Sequence, residues 1–153
     1  WTFVRAGAAH ALGALPADVA IDRALADALA DGAPDVRSRA LDGLGVHRAV
    51  AHADAIRARQ DDEGENLEVR ARAILALAAM CDARSTDTWT KLARAAKVPM
   101  DDRDRRLGGA AIAALGEVHP ADLGERLAPL LEKDAPVPAR EMARAAMAEK
   151  GCR

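Results

Sequence analysis

At 153 residues the chain is long enough for one domain with a reasonable core. About a quarter of its residues are Ala, only Trp1, Phe3 and Trp89 are aromatic, and Tyr is absent; such a composition suits thin helical layers and argues against a sandwich or barrel. A net charge of −2 and a pI of about 6.1 argue against the basic footprint of a nucleic-acid binder, and no stretch approaches the ~20 apolar residues of a membrane span.

One short pattern returns along the chain. It reads Val4-Arg5…Ala8…Leu12-Gly13, then Val36-Arg37…Ala40…Leu44-Gly45, then Val69-Arg70…Ala73…Leu77-Ala78. It continues as Leu107-Gly108…Ala111…Leu115-Gly116 and Ala139-Arg140…Ala143…Met147-Ala148. The starts lie roughly 32 to 38 residues apart, the period of stacked helical pairs. The pattern predicts five B helices over about 3–15, 35–47, 67–80, 104–117 and 137–150. Between them, A helices are expected over about 18–30, 49–59, 86–97 and 120–132.

Turn chemistry punctuates these elements in chain order. Asp18 and Asp35 are expected N-caps for helices starting at Val19 and Val36, with Gly32-Ala33-Pro34 as the break before the second. The polar run Gln60 to Asn66 reads as a solvated loop. Thr86 or Asp87 is expected to cap the helix that carries Trp89, and Met100 to Asp104 forms another break. Pro120 suits a first helical turn, and Pro129 falls inside an A helix, where it is expected to bend the chain.

Numbering each B helix from its first motif residue as position zero, position four is always Ala. Position seven is Ala or Gly, and position eight is Leu or Met. At 100° per residue these positions share one face. Small residues there let neighbouring helices approach closely, while the Leu fills the layer between repeats. Position five is Leu41, Ile74 and Ile112 in the inner repeats and Arg144 in the last, as a polar capping repeat needs. The first B helix has no A partner before it, so the chain is expected to be the C-terminal part of a longer array.

The run from Asp31 to Gly45, DGAPDVRSRALDGLG, resembles a HEAT repeat, more narrowly the bacterial HEAT-like repeats of the phycobilisome-lyase type. The resemblance spans 1–153 as a single repeat domain, clearest in the first three repeats. Gly108 stands where the family carries Arg, and Ala139 where it carries Val. It implies a right-handed α-solenoid of about five helical hairpins, the first incomplete, with A helices on the convex side and B helices lining the concave side. Members include scaffolds, adaptors, lyases and a DNA-repair branch, and fold does not imply function.

The expected function is a non-enzymatic scaffold or adaptor that binds a protein, or another part of its own chain, on the B-helix side. His10, Ser38, Arg39 and Asp42 are the candidate contacts. Leu41, Ile74 and Ile112 would add an apolar strip if neighbouring repeats leave them uncovered. The alternative is a lyase, or an accessory subunit of an enzyme, of the bilin-lyase class. A nucleic-acid-binding member ranks below both, because the B helices lack aromatic wedges.

Arg5, Arg37, Arg70 and Arg140 recur at position one. They read as a structural ladder to carboxylates of the same or next repeat, since the planar guanidinium meets a carboxylate with two hydrogen bonds. No catalytic constellation, cofactor motif or His-Glu-x-x-His zinc pattern is present. His10, His47, His52 and His119 read as surface or turn histidines, although His47 and His52 are close enough in sequence to converge across one turn beside Asp54. Trp89 reads as a core plug in preference to a partner anchor.

Cys81 and Cys152 both fall just past B-helix ends, two repeats apart. At ~8–10 Å between packed helices that is roughly 16–20 Å, too far for a disulfide, so free thiols and a cytoplasmic location are expected. The Ala and Arg bias suggests a bacterial source.

Overall fold

A computed structural model describes residues 1–99 and 101–152, and Met100 of the expected 100–104 break lies outside the described residues. The described residues form nine α-helices and no strand. In order they are α1 (Thr2–Gly13), α2 (Val19–Asp27), α3 (Pro34–Val46), α4 (Ala53–Asp61) and α5 (Leu67–Ala79). Then follow α6 (Thr86–Ala95), α7 (Asp102–Val118), α8 (Leu123–Leu131) and α9 (Val137–Ala148). Short 3₁₀ turns extend α2 at its end and precede α4 and α6. The helices at odd positions coincide with the expected B helices, and those at even positions with the A helices.

The helix starts follow side-chain chemistry, with three departures from expectation. Asp18 does cap α2, its carboxylate accepting from the Ala20 and Ile21 amides, and Asp101 caps α7 by accepting from Asp104. Asp35 caps nothing: Pro34 takes the first helical position, whose amide needs no partner, and places Asp35 in the first turn of α3. Helix α6 starts after Ser85, whose hydroxyl is turned to Asp82, while the Thr86 hydroxyl donates to the Ala83 carbonyl. Pro120 stays outside α8, and its carbonyl accepts from the Leu123 amide as the helix begins. Pro129 lies inside α8, two residues before its end.

The chain divides into two compact units, Trp1–Met80 and Cys81–Arg153. In the N-terminal unit α3 packs between α1 and α5, with α2 on α3 and α4 on α5. The C-terminal unit packs α7 against α6 and α9, and α8 against α9. In both, an A helix lies against its B helix, and B helices lie against B helices.

The Leu-Gly end of the motif explains the B–B contacts. A methyl built on Gly13 would come within 2.6 Å of the Gly43 Cα. On Gly45 it would meet the Ala76 Cα at 3.1 Å, and on Gly116 the Ala146 Cα at 2.8 Å. Each time position nine of one B helix faces position seven of the next, so both must be small for the backbones to approach. Around these crossings Ala40, Ala73, Ala111 and Ala143 at position four are fully buried, as are Leu44, Leu77 and Leu115 at position eight. Trp89 is buried as well. Helix α1 departs from the rule: Val4, Ala8 and Ala11 are exposed there.

A glycine costs a helix about 1 kcal/mol relative to Ala, so Gly→Ala in open space stabilises while overpacking a crossing destabilises. Nothing lies within 4 Å of a methyl on Gly7. Gly7→Ala is therefore expected to gain up to about 1 kcal/mol, and Gly116→Leu to lose about 2 kcal/mol. Urea midpoints moving the same way in both variants would contradict this packing.

The largest correction concerns the cysteines. Cys81 and Cys152 form a disulfide, with their Cα atoms 5.9 Å apart. Helix α9 ends at Ala148, so four more residues carry the chain to Cys152. Extended chain covers up to ~3.5 Å per residue, enough to close most of the separation inferred from helix spacing. The tail crosses the end of α7. Gly151 lies against His119 with φ +69°, and a Cβ there would sit 2.5 Å from the His119 Cβ, so both the backbone angle and the close approach demand glycine.

Candidate functional site

The same helix geometry that buries one face of each B helix leaves another open. In the N-terminal unit that open face forms a groove of about 500 Å³ across α1, α3 and α5. Helix α1 contributes Phe3, Ala6, Gly7 and His10. Helix α3 contributes Asp35, Ser38, Arg39 and Asp42, and α5 contributes Glu68 and Arg72. In the repeat numbering these are positions −1, 2, 3 and 6 on α1 and α3, and −1 and 3 on α5, a set with helical periodicity.

The structure thus brings together four of the expected partner contacts, His10, Ser38, Arg39 and Asp42. It adds Phe3, Asp35, Glu68 and Arg72, which are not among the expected contacts. Arg72 stands at position three of its helix, as Arg39 does in α3, while Phe3, Asp35 and Glu68 share position −1, where none of the four expected contacts stands.

The apolar strip is not there. Leu41 is 0% exposed and Ile74 and Ile112 each 1%, so these three belong to the core of their units and offer no surface to a partner. Position five is buried in α3, α5 and α7, whereas Arg144 at position five of α9 is exposed.

Charge runs across the groove. The Arg72 guanidinium spans two helices, donating to Glu68 at 2.7 Å and to Asp42 at 2.9 Å. The Glu68 hydrogen bond above all, with Asp42 added, raises the Arg72 pKa against the opposing effect of burial. Arg39 is half exposed and reaches Asp42 only at 3.9 Å, so its charge remains open to solvent and to a ligand.

Arginines of the ladder hold the turns between helices. Arg5 makes two bonds to Asp31, at 2.7 and 3.0 Å. Arg37 grips Glu65 with Nε at 2.8 Å and a second, shorter bond, and donates to the Asp31 carbonyl at 2.7 Å. Arg70 donates to the Gln60 carbonyl and Arg140 to the Lys133 carbonyl, so these two hold the backbone of the turn before their own helix. The run from Gln60 to Asn66 is consequently less solvated than its polarity suggests: Gln60 and Glu65 are both buried.

His47 is covered too. Its side chain is only 2% exposed, with one ring nitrogen 2.6 Å from Asp22 and the other 2.9 Å from the Leu15 carbonyl. It ties α3 to α2 and to the end of α1, and so is not a surface histidine. No group of three or more His, Cys, Asp or Glu able to hold a metal ion occurs among the described residues. No helix among them is long and apolar enough to cross a membrane.

The paired carboxylates set an acid limit on the N-terminal unit. The Arg5 hydrogen bond, helped by the Ala33 amide, lowers the Asp31 pKa to about 2. Burial pushes Glu65 up, but Arg37, the Asn66 amide and Arg59 outweigh it and leave the carboxyl below its ordinary value. Both folded values are depressed, so their stabilisation is complete above the ordinary carboxylate range, ~4, and is lost as pH falls toward 2. Asp31→Asn is expected to flatten the acid limb of a pH–stability curve, and an unchanged slope would show that Asp31 is not coupled to folding.

No protein-family model and no curated protein matches the chain.

Proposed function

We propose that the chain is a HEAT-like right-handed α-solenoid that works as a non-enzymatic protein-interaction scaffold, binding its partner on the B-helix face. The observation that carries this is the groove. The same positions of successive B helices line it, and Arg39, half exposed and 3.9 Å from Asp42, lines it together with His10 and Ser38. Repeated small-on-small contacts between position nine and position seven support a stacked-repeat architecture. A curved face built from several repeats suits an extended partner surface better than a single catalytic pocket does. The disulfide favours an oxidising compartment over the cytoplasm that free thiols would suit.

Binding energy concentrates in a few central residues, so Arg39→Glu and His10→Glu are expected to weaken a partner's affinity at least tenfold. Suitable controls are Arg23→Glu on α2 and Lys91→Glu on α6, both exposed. Asp22 and Arg94 would be poor controls, because Asp22 bonds His47 and Arg94 bonds the Arg126 and Glu125 carbonyls. Titration of an identified partner by calorimetry decides. Loss of affinity in the A-helix variants alone, with the protein folded, would refute B-face docking.

A further inference from the structure

A second concavity lies within the C-terminal unit. It holds about 150 Å³ between the end of α6, the middle of α7 and the start of α9. Its walls are largely apolar: Pro99, Pro136, Pro138, Ile112 and Met142 line it. The pyrrolidine rings fix the backbone angles on two sides, so the shape exists before anything binds. Met142 is the adjustable wall, since its thioether side chain is unbranched and partly exposed.

The floor is Gly109, and helix packing does not explain why it is glycine. At its neighbour Gly108 a methyl would meet the Ala96 Cβ at 2.7 Å and the Leu92 carbonyl at 3.0 Å, so packing forbids a side chain there. At Gly109 a methyl would meet only the flexible end of Met142, at 3.4 Å. Alanine would fit and would favour the helix. What the bare backbone does instead is keep the pocket open.

One charged group lines the pocket, Arg105. It is largely exposed and tied to Asp102 one turn away in the same helix. Surface pairs of this kind contribute little, so the guanidinium is available to another anion. The volume matches a benzene-sized group, for which dry apolar cavities of about 150 Å³ are known hosts.

We propose that this pocket binds a small carboxylate carrying one phenyl- or isobutyl-sized group, with the apolar part between the prolines and Gly109 and the carboxylate on Arg105. Two sources share that chemistry: a free aryl or branched-chain acid, and the C-terminal Phe or Leu of a peptide. The site is independent of the B-face groove in the other unit.

Calorimetric titration of the full chain with 3-phenylpropionate, its amide, and a hexapeptide ending in Phe with a free or amidated C-terminus tests this. Saturable binding of an acid form is expected, about tenfold weaker for the matching amide and about tenfold weaker in Arg105→Gln, as loss of a charge-assisted hydrogen bond implies. Gly109→Leu should fill the pocket and abolish binding while circular dichroism shows the helices retained. If that variant does not fold, the acid–amide comparison in the native chain still decides. Tighter binding of the free acid identifies a small-molecule site, and tighter binding of the peptide a C-terminus site. Absence of saturable binding for both, or equal affinity for acid and amide, overturns the proposal.

Discussion

Reducing the Cys81–Cys152 disulfide, or replacing Cys152 by Ser, is expected to destabilise the C-terminal unit by about 4 kcal/mol. The bridge joins residues 71 apart in sequence, close to the first and last residues of that unit. It therefore restrains nearly the whole unfolded chain of the unit, and the entropy removed grows with the logarithm of the loop length. The folded state loses less, because Gly151 still packs against His119 at the end of α7. Trp89 is buried inside this unit, whereas Trp1 is 86% exposed, so the change in tryptophan emission on urea unfolding reports mainly on α6 and its surroundings. Its midpoint should fall on reduction. Two alkylated cysteines in non-reduced, denatured protein would show that the bridge does not form.

Helix spacing locates the ends of α5 and α9, but neither sulfur lies on a helix. Cys81 has φ +58° and sits two residues beyond α5, and Cys152 ends a tail that turns back across α7. Irregular segments carry no periodic signal, so their reach is invisible to a repeat frame. The helices were legible for the opposite reason: position four stays Ala and position eight stays Leu or Met whatever the loops do. Even the tight helix crossings were implicit in the recurring Leu-Gly, since only a close approach requires a small residue there.

The groove was half legible. His10, Ser38, Arg39 and Asp42 are polar residues on B helices, and they share one surface. Comparing helices position by position leads from Arg39 to Arg72, but Phe3, Asp35 and Glu68 stand at position −1, where none of those four stands, and only their sharing of that position marks them. Leu41, Ile74 and Ile112 share a position too, but an apolar residue beside small neighbours is drawn inward. Polarity and position together mark the surface, and position alone does not. His47 shows the reverse error, a polar residue that reads as exposed and is held inside by Asp22 and the Leu15 carbonyl.

Arg37→Ala is expected to destabilise the N-terminal unit by about 3 kcal/mol. The Glu65 side chain is 1% exposed and that of Arg37 13%, so the pair is shielded from solvent on both sides. Removing the guanidinium takes away two bonds to the carboxylate and the bond to the Asp31 carbonyl, and leaves a buried charge behind. Much of the cost is that stranded charge. With Arg37 absent, burial acts on Glu65 opposed only by the Asn66 amide and by Arg59, whose Nη1 lies 3.4 Å away. The direction of the shift is then expected to turn upward, so protonation near pH 4 relieves the variant while it weakens the native protein. The difference in urea midpoint between native and Arg37→Ala protein should therefore shrink as pH falls from 7 to 4. Arg37→Ala combined with Glu65→Leu should recover part of the loss at neutral pH, because a buried pair is often replaced by apolar side chains at little cost. A pH-independent difference, with no recovery in the double variant, would mean that the loss comes from the Asp31 carbonyl and the packing of the Arg37 stem, and that Glu65 finds its support elsewhere.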